Sequence, residues 1–272
     1  TGVNAGTYEV KAEGAPTVRD AQGNDVTDQF NVRTQPGTLT IRPRQVTMTS
    51  ADAEKEYDGT ELTTADAPDQ GITVSGDGFA AGEGAAYTVT GSQTLVGVSS
   101  NSFTYELNEG TSEQNYRITV IPGTLSVTGR TSRIAITAAA VGAEAVYDGE
   151  EHTAQGLEQT VFTFNGKQYT LSGLDCSVSA TDAGTYLAPV TGTAKVTDED
   201  GNDVTDQFAV SLQSAELRIL PAPLTISTGS AQKAYDGTAL TAPETEITGL
   251  QGRDAIEVHV TGSLTEPGTA EN

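Results

Sequence analysis

The sequence predicts an all-β protein assembled from small tandem modules, and three observations carry that prediction. Apolar residues alternate with polar ones in short runs rich in Thr, Val and Ile, the pattern of half-buried strands. Turn residues punctuate the chain every 8–12 positions, a spacing that suits sandwiches and barrels better than alternating helices and strands. The chain also repeats itself. Residues 1–43 fall on 179–221 without a gap, with 20 of 43 positions identical.

The period is 178 residues, and the block Gly23–Phe30 (GNDVTDQF) recurs whole as Gly201–Phe208. At the same offset Glu54-Lys55-Glu56-Tyr57-Asp58-Gly59-Thr60 meets Gln232-Lys233-Ala234-Tyr235-Asp236-Gly237-Thr238. A third Tyr-Asp-Gly, at Tyr147-Asp148-Gly149, lies about halfway between these two, so the period is itself double. We read residues 44–131 as module A and 132–221 as module B. Residues 1–43 are then the C-terminal half of a B module, and 222–272 the N-terminal half of an A module. Such a chain reads as a piece of a longer protein, and its two half-modules, lacking strands to close their cores, are expected to fray outside 44–221. Repetition of one scaffold argues for reach, spacing or multivalency rather than for a single catalytic centre.

Each element has a local reason. Every module opens on an alternating apolar segment: Val46 and Met48, Ile134 and Ile136, Leu224 and Ile226. The Tyr-Asp-Gly turn follows. Gly accepts positive φ, Asp caps the backbone two residues on, and Tyr packs its ring inward. In module B, Val161–Phe164 and Gln168–Leu171 flank Asn165-Gly166, a strong hairpin signal. A second turn, Gly201-Asn202, separates Ala194–Thr197 from Asp203–Thr205. Asp182-Ala183-Gly184-Thr185-Tyr186, matched by Asn4-Ala5-Gly6-Thr7-Tyr8, has the spacing of a tyrosine corner. Where immunoglobulin domains often carry a Cys two residues later, this chain has Ala188 and Val10, so a small apolar contact is expected there. Each module closes on an aromatic followed nine positions later by Leu: Tyr116 to Leu125, Phe208 to Leu217, Phe30 to Leu39. Short helices are conceivable only near Gly78–Ala86 and Gly249–Ile256. Pro43, Pro221 and Pro223 should stiffen the B-to-A junctions; the proline-free Gly129–Arg133 junction should bend more.

Composition narrows the function. A formal net charge of −23 repels phosphate backbones and anionic lipid, which argues against nucleic acid and membrane-surface partners. No apolar run reaches the 18 or so residues of a membrane span. The single Cys176 cannot form an intramolecular disulfide. The two histidines, His152 and His259, have no metal-ligand spacing, and no nucleophile-elbow motif appears. We expect no catalysis and no cofactor.

Three constellations compete with purely structural readings. Asp198, Asp200 and Asp203 cluster oxygen ligands on one turn and form a weak calcium candidate; a solvated hairpin tip is the preferred reading. Lys55 and Lys233 hold equivalent positions before the motif Tyr, and each is a candidate for a Lys–Asn isopeptide cross-link, with Asn101, Asn108 or Asn115 as acceptor. A lysine snorkelling from a sheet face is the preferred alternative. Sugar binding would need flat aromatic platforms, and of nine tyrosines only Tyr87, Tyr105 and Tyr169 lack an architectural assignment.

With Lys55-x-Tyr57-Asp58-Gly59-Thr60, Lys233-x-Tyr235-Asp236-Gly237-Thr238, Val146-Tyr147-Asp148-Gly149 and the closing Gly37–Leu39 and Gly123–Leu125 in view, the chain resembles the YDG/MBG-type extracellular repeats of large bacterial surface proteins and adhesins. Ala215-Glu216-Leu217 departs from the closing pattern. The resemblance implies exported β modules on a bacterial cell surface and brings no catalytic residues. The expected architecture is tandem small immunoglobulin-like β-sandwiches, with a β-grasp-like module as the alternative. The expected role is a stalk or spacer, about 90–100 Å long if each module is a compact globule. The alternative is a repeat that itself binds host glycan or mucin weakly and multivalently. Expected partners are neighbouring modules of the same chain and, for the alternative, a host glycan or protein.

Overall fold

The computed structural model describes residues 2–272, and it is all-β: 46% is strand, and no helix among the described residues reaches seven residues. The chain divides into two compact units, Thr1–Thr131 and Ser132–Asn272. Both B-to-A junctions therefore lie inside a unit, and the proline-free A-to-B junction lies between the units.

The first unit holds strands β1 (Gly6–Val10), β2 (Gly37–Ile41), β3 (Arg44–Ser50), β4 (Ala53–Glu56), β5 (Ile72–Gly76), β6 (Ala85–Val89), β7 (Gly97–Asn101), β8 (Phe103–Leu107), β9 (Tyr116–Ile121) and β10 (Gly123–Thr128). Strands β1 and β2 form an antiparallel pair. In module A, β3 runs antiparallel to β5 and parallel to β9, with Met48 opposite Val120. After a break at residues 51–52, β4 runs parallel to β10, with Ala53 opposite Leu125; β10 also pairs antiparallel with β7. Strands β6 and β8 pair across Tyr87 and Tyr105. The opening and closing segments of the module thus run side by side through two successive sheets. Alternation explains the core: Val46, Met48 and Ser50 of β3 point inward, and Val46 and Met48 pack with Ile72, Phe103 and Tyr116.

The second unit holds β11 (Ile134–Ala139), β12 (Ala143–Val146), β13 (His152–Gln155), β14 (Val161–Phe164), β15 (Lys167–Asp175), β16 (Ser177–Ala180), β17 (Gly184–Ala188), β18 (Thr191–Thr197), β19 (Phe208–Gln213), β20 (Ala215–Leu220), β21 (Thr225–Thr228) and β22 (Thr245–Thr248). Module B repeats the parallel arrangement. Ile136 of β11 lies opposite Val210 of β19, and Ala143 of β12 opposite Leu217 of β20. Strand β17 pairs antiparallel with β20, as β7 does with β10. Its interior contains Ala140, Ala154, Cys176, Ala188, Leu217 and Ile219, and a second cluster stacks Tyr169 on Phe162 at 5.6 Å with Phe208 edge-on.

The hairpin at Asn165-Gly166 forms with Phe164 opposite Lys167, and both loop residues take positive φ (47° and 76°), the geometry of a two-residue type I′ turn. The second turn differs from expectation. Only a single bridge, Thr197 with Asp203, follows Gly201-Asn202, and Thr205–Gln207 then coils into a 3-10 turn. The reason is Thr205: its Oγ1 donates to Asp203 Oδ1 (2.6 Å) and accepts the Val196 amide (2.9 Å), which bends the chain before a second rung can form. Thr27 does the same in the other copy, to Asp25 (2.6 Å) and from Val18 (2.8 Å). Residues 78–86 and 249–256 form turns and irregular chain and, at Ala85–Ala86, the start of β6, so neither stretch where a helix was conceivable is helical. Four glycines in those two stretches have positive φ, incompatible with a helix.

Candidate functional site

The Tyr-Asp-Gly-Thr turn is the most elaborated local device in the molecule. In module A, Asp58 Oδ1 accepts the Thr60 amide (2.9 Å) and the Thr60 hydroxyl (2.7 Å), while Gly59 takes φ 79° to let the chain fold back. Tyr57 is buried. Lys55 reaches across the turn: its Nζ donates to Asp58 Oδ1 (2.8 Å), Thr60 O (2.7 Å), Thr60 Oγ1 (2.7 Å) and Glu61 O (3.2 Å). Lysine is therefore neither snorkelling nor facing an asparagine; it is the clamp of its own turn. Lys233 repeats this with Asp236 Oδ1 (2.8 Å), Thr238 Oγ1 (2.6 Å) and Ala239 O (3.3 Å). Module B has Ala145 at the lysine position, and the partner of the turn's Asp comes from further along. There His152 Nε2 lies 3.0 Å from Asp148 Oδ1. Burial pushes the Asp58 carboxyl up, but hydrogen bonds from Lys55 and Thr60 outweigh it and hold it below its ordinary value. The Lys233 hydrogen bond, with those from Thr238, holds Asp236 well below the carboxylate range.

The isopeptide acceptors have other partners. Asn101 is fully buried; its Nδ2 donates to Ala51 O (2.8 Å) and Thr64 Oγ1 (2.9 Å), and its backbone carbonyl accepts the Ser50 hydroxyl (2.6 Å). Its Oδ1 has no protein partner. Asn115 instead ties the first half-module to module A, accepting the Ala5 amide (2.7 Å) and donating to Asn4 Oδ1 (3.1 Å). The backbone N–H of Asn108 donates to Gly84 O (2.9 Å).

The acidic turn is organised around its own backbone. Asp198 Oδ1 accepts the amides of Asp200 (3.0 Å) and Asn202 (2.8 Å), and Asp203 Oδ1 faces Thr205. Asp200 is exposed. Asp198, Asp200 and Asp203 do not converge, and among the described residues no three carboxylates, histidines or cysteines are grouped to hold a metal ion. Asp20 repeats the cap with Gln22 and Asn24 in the first half-module.

The tyrosine corners form. Tyr186 donates to Asp182 O (3.0 Å) and Tyr8 to Asn4 O (2.7 Å), and Ala188 fills the interior position two residues on. Val10, its counterpart, is 45% exposed. Of the three tyrosines without an assignment, Tyr169 is buried, and Tyr87 and Tyr105 are partly buried against the Val46–Met48 cluster.

A cavity of about 400 Å³ in the second unit is walled by Tyr147, Asp182, Pro221, Leu224, Leu250 and Asp254, among others. The Tyr147 hydroxyl donates to Asp254 Oδ2 (2.7 Å), a hydrogen bond that raises the phenol's pKa, and burial and nearby carboxylates add to it. Sequence reading missed this cleft because its walls come from both sides of the Pro221 junction. It also missed Asn272 as the counterpart of Asn101, because loop shortening breaks the 178-residue offset. The signal was Gly91-Ser92-x-Thr94 against Gly262-Ser263-x-Thr265. Asn272 Nδ2 donates to Gly229 O (2.7 Å) as Asn101 does to Ala51 O, its equivalent.

Taken together these are the features of an all-β repeat whose recurrent polar groups brace its own turns. No protein-family model matches the chain, and no curated protein is significantly similar to it. No helix among the described residues is long and apolar enough to cross a membrane.

Proposed function

We propose that the chain is a non-catalytic stalk or spacer segment of a bacterial cell-surface adhesin, built from YDG-type tandem modules with an immunoglobulin-like sandwich architecture. The observation that carries this reading is the reuse of one scaffold. The Lys–Asp–Thr clamp recurs at Lys55 and Lys233, the corner at Tyr8 and Tyr186, and the Asp–Thr turn at Asp25 and Asp203, each with matching partners. Groups that a catalytic site would present to substrate here bond to their own backbone. The tyrosine corners and the two-sheet course of β3–β4 beside β9–β10 support the sandwich over a β-grasp. An acidic surface would keep neighbouring stalks apart. Small-angle scattering of the full chain at low concentration tests the reading: an elongated particle is expected, and a compact globule would overturn it.

The cleft beside Tyr147 favours a second reading, weak multivalent glycan or mucin binding, since an aromatic ring and two carboxylates line it. A glycan array probed with the wild type and Tyr147→Ala separates the two. Signal lost in the variant supports the binding reading, and no signal from either supports the spacer.

A further inference from the structure

The opening strands of the A-type copies have an antiparallel neighbour that the opening strand of module B lacks. In module A, β5 runs along one edge of β3, with Met48 opposite Val74 and Val46 opposite Gly76. After Pro223 the arrangement recurs, with Ile226 of β21 opposite Ile247 of β22. Module B begins in the same way and then departs. Ala140 bridges Leu157 as Ser50 pairs with Ile72, and the Val141 amide donates to Gly156 O (3.0 Å) as Ala51 does to Gly71 O (2.9 Å). The Glu158 amide donates to Ala139 O (2.9 Å), but the chain then turns into β14, which pairs with β15 instead. Among the described residues, β19 is the one strand paired with β11.

The open edge runs along residues 133–137, inside a complete module. In a strand, the backbone groups of alternate residues point to the same edge. The edge on which Ala139 O accepts Glu158 is therefore also faced by the N–H and C=O of Thr137, Ala135 and Arg133. The next residue along, Ala140, serves the opposite edge, its amide donating to Gln213 O (2.9 Å). Ala135 and Thr137 are exposed. The strand Ile134–Ala139 reads IAITAA, with no Pro, no Lys and no bulge to discourage an added strand. Charge sits only at the limits of the opening: Arg133 at one end and Glu158 at the other, both exposed.

We infer that the open edge of β11 is a docking surface for β11 of a second copy of this chain, the two strands pairing antiparallel about a two-fold axis. The register that pairs Arg133, Ala135 and Thr137 of both copies sets Ala135 opposite Ala135 and Arg133 opposite Thr137. It also stops short of the position held by Glu158. Arg133 of each copy then lies two strand positions, about 7 Å, from Glu158 of the other, on the same face. An arginine side chain spans that gap, so the contact closes two ion pairs. Asp206, 3.9 Å from Arg133 in its own copy, shares the guanidinium. The chain's net charge of −23 opposes association elsewhere, whereas charges pair at this edge, and 0.15 M salt screens the repulsion beyond about 8 Å. The contact is isologous, so it closes at a dimer. Its short length makes that dimer weak and concentration-dependent.

Sedimentation velocity of the full chain from about 5 to 500 µM in 0.15 M salt tests this. The wild type is expected to pass from monomer towards dimer and no further. Thr137→Pro removes a donor aimed at the open edge and leaves the ladder to β19 intact. Ala135→Asp sets two carboxylates directly opposite each other. Circular dichroism checks that both variants remain folded, and each is expected to weaken dimerisation about 10-fold or more. Cysteine substitution reads the register. The native Cys176 is 1% exposed, so the wild type supplies the background. Directly opposed, hydrogen-bonded residues have α-carbons about 5.5 Å apart, within disulfide range. Ala135→Cys is therefore expected to give a disulfide-linked dimer in air, and Thr137→Cys, set opposite Arg133, is not. A wild type that is monomeric at every concentration, growth beyond the dimer, Thr137→Pro and Ala135→Asp chains that dimerise like wild type, or a Thr137→Cys chain that cross-links as readily as Ala135→Cys would each overturn the proposal.

Discussion

Lys55 Nζ lies 2.8 Å from Asp58 Oδ1, and Lys233 Nζ lies 2.8 Å from Asp236 Oδ1, although one turn sits in a complete module and the other in a half. The clamp is therefore a property of the local sequence and survives without the surrounding core. What differs is the aromatic beside it: Tyr57 is 1% exposed and Tyr235 is 64% exposed.

That contrast gives a paired substitution. Tyr57→Ala removes a ring from a closed interior and is expected to cost about 3–5 kcal/mol by the cavity rule for large aromatics. Tyr235→Ala removes the same ring from the surface and is expected to change stability by less than about 0.5 kcal/mol. Urea unfolding of the two variants checks this, and equal effects would contradict the burial difference.

Lys55→Met leaves the stem and removes the ammonium that bridges Asp58, Thr60 and Glu61. Loss of charge-assisted hydrogen bonds at a partly exposed site is expected to cost about 1–2 kcal/mol. The shift of the urea midpoint measures it. No change would mean the clamp is geometric decoration.

Asp58 gives a pH dependence with a defined sign. Its folded carboxyl titrates below the unfolded value of about 3.9. Its contribution is therefore fully present above about pH 4 and is lost as pH falls through the folded value. Comparing wild type with Asp58→Asn cancels the general effect of neutralising an acidic chain. The stability gap between them should be widest near neutrality and close in acid. A gap that widens in acid would show the sign to be wrong.

Asn101→Asp places a carboxylate at a site with no exposure, where the side chain now donates to Ala51 O and Thr64 Oγ1. The expected cost is about 3 kcal/mol or more at pH 7, shrinking in acid as the buried carboxyl takes up its proton. Chemical unfolding at pH 7 and pH 5 measures both values. A variant as stable as wild type at pH 7 would mean that water reaches Asn101.

Gly166 takes φ 76° with open space around its α-carbon. Gly166→Val therefore tests backbone strain alone, and is expected to cost about 1–2 kcal/mol in thermal unfolding. A neutral result would argue that the hairpin adopts another turn.

Much of the architecture was legible in residues near one another in the chain. Alternation set the strands, Asn165-Gly166 set a hairpin, and Tyr-Asp-Gly-Thr set a turn, because each depends on φ preferences and hydrogen bonds spanning a few positions. The corners at Tyr8 and Tyr186 were equally readable, since a phenol reaches a carbonyl four residues back. The lysines were misread because a point charge on a flexible stem gives no sign in sequence of which oxygens it will find. The calcium candidate dissolved for a related reason. A run of aspartates does not reveal that Asp198 and Asp203 turn toward their own amides.

The sequence by itself determined the all-β class, the repeat and the turns, all products of local sterics and periodicity. Tertiary structure decided which copies of the same motif become buried. Phe30 and Phe208 stand in identical GNDVTDQF blocks; Phe208 lies beside the opening strand β11 with the Phe162 ring edge-on to it, and Phe30 is 56% exposed. Burial and strand order are cooperative. A segment with the right alternation becomes a strand only when another backbone is present to satisfy its amides and carbonyls.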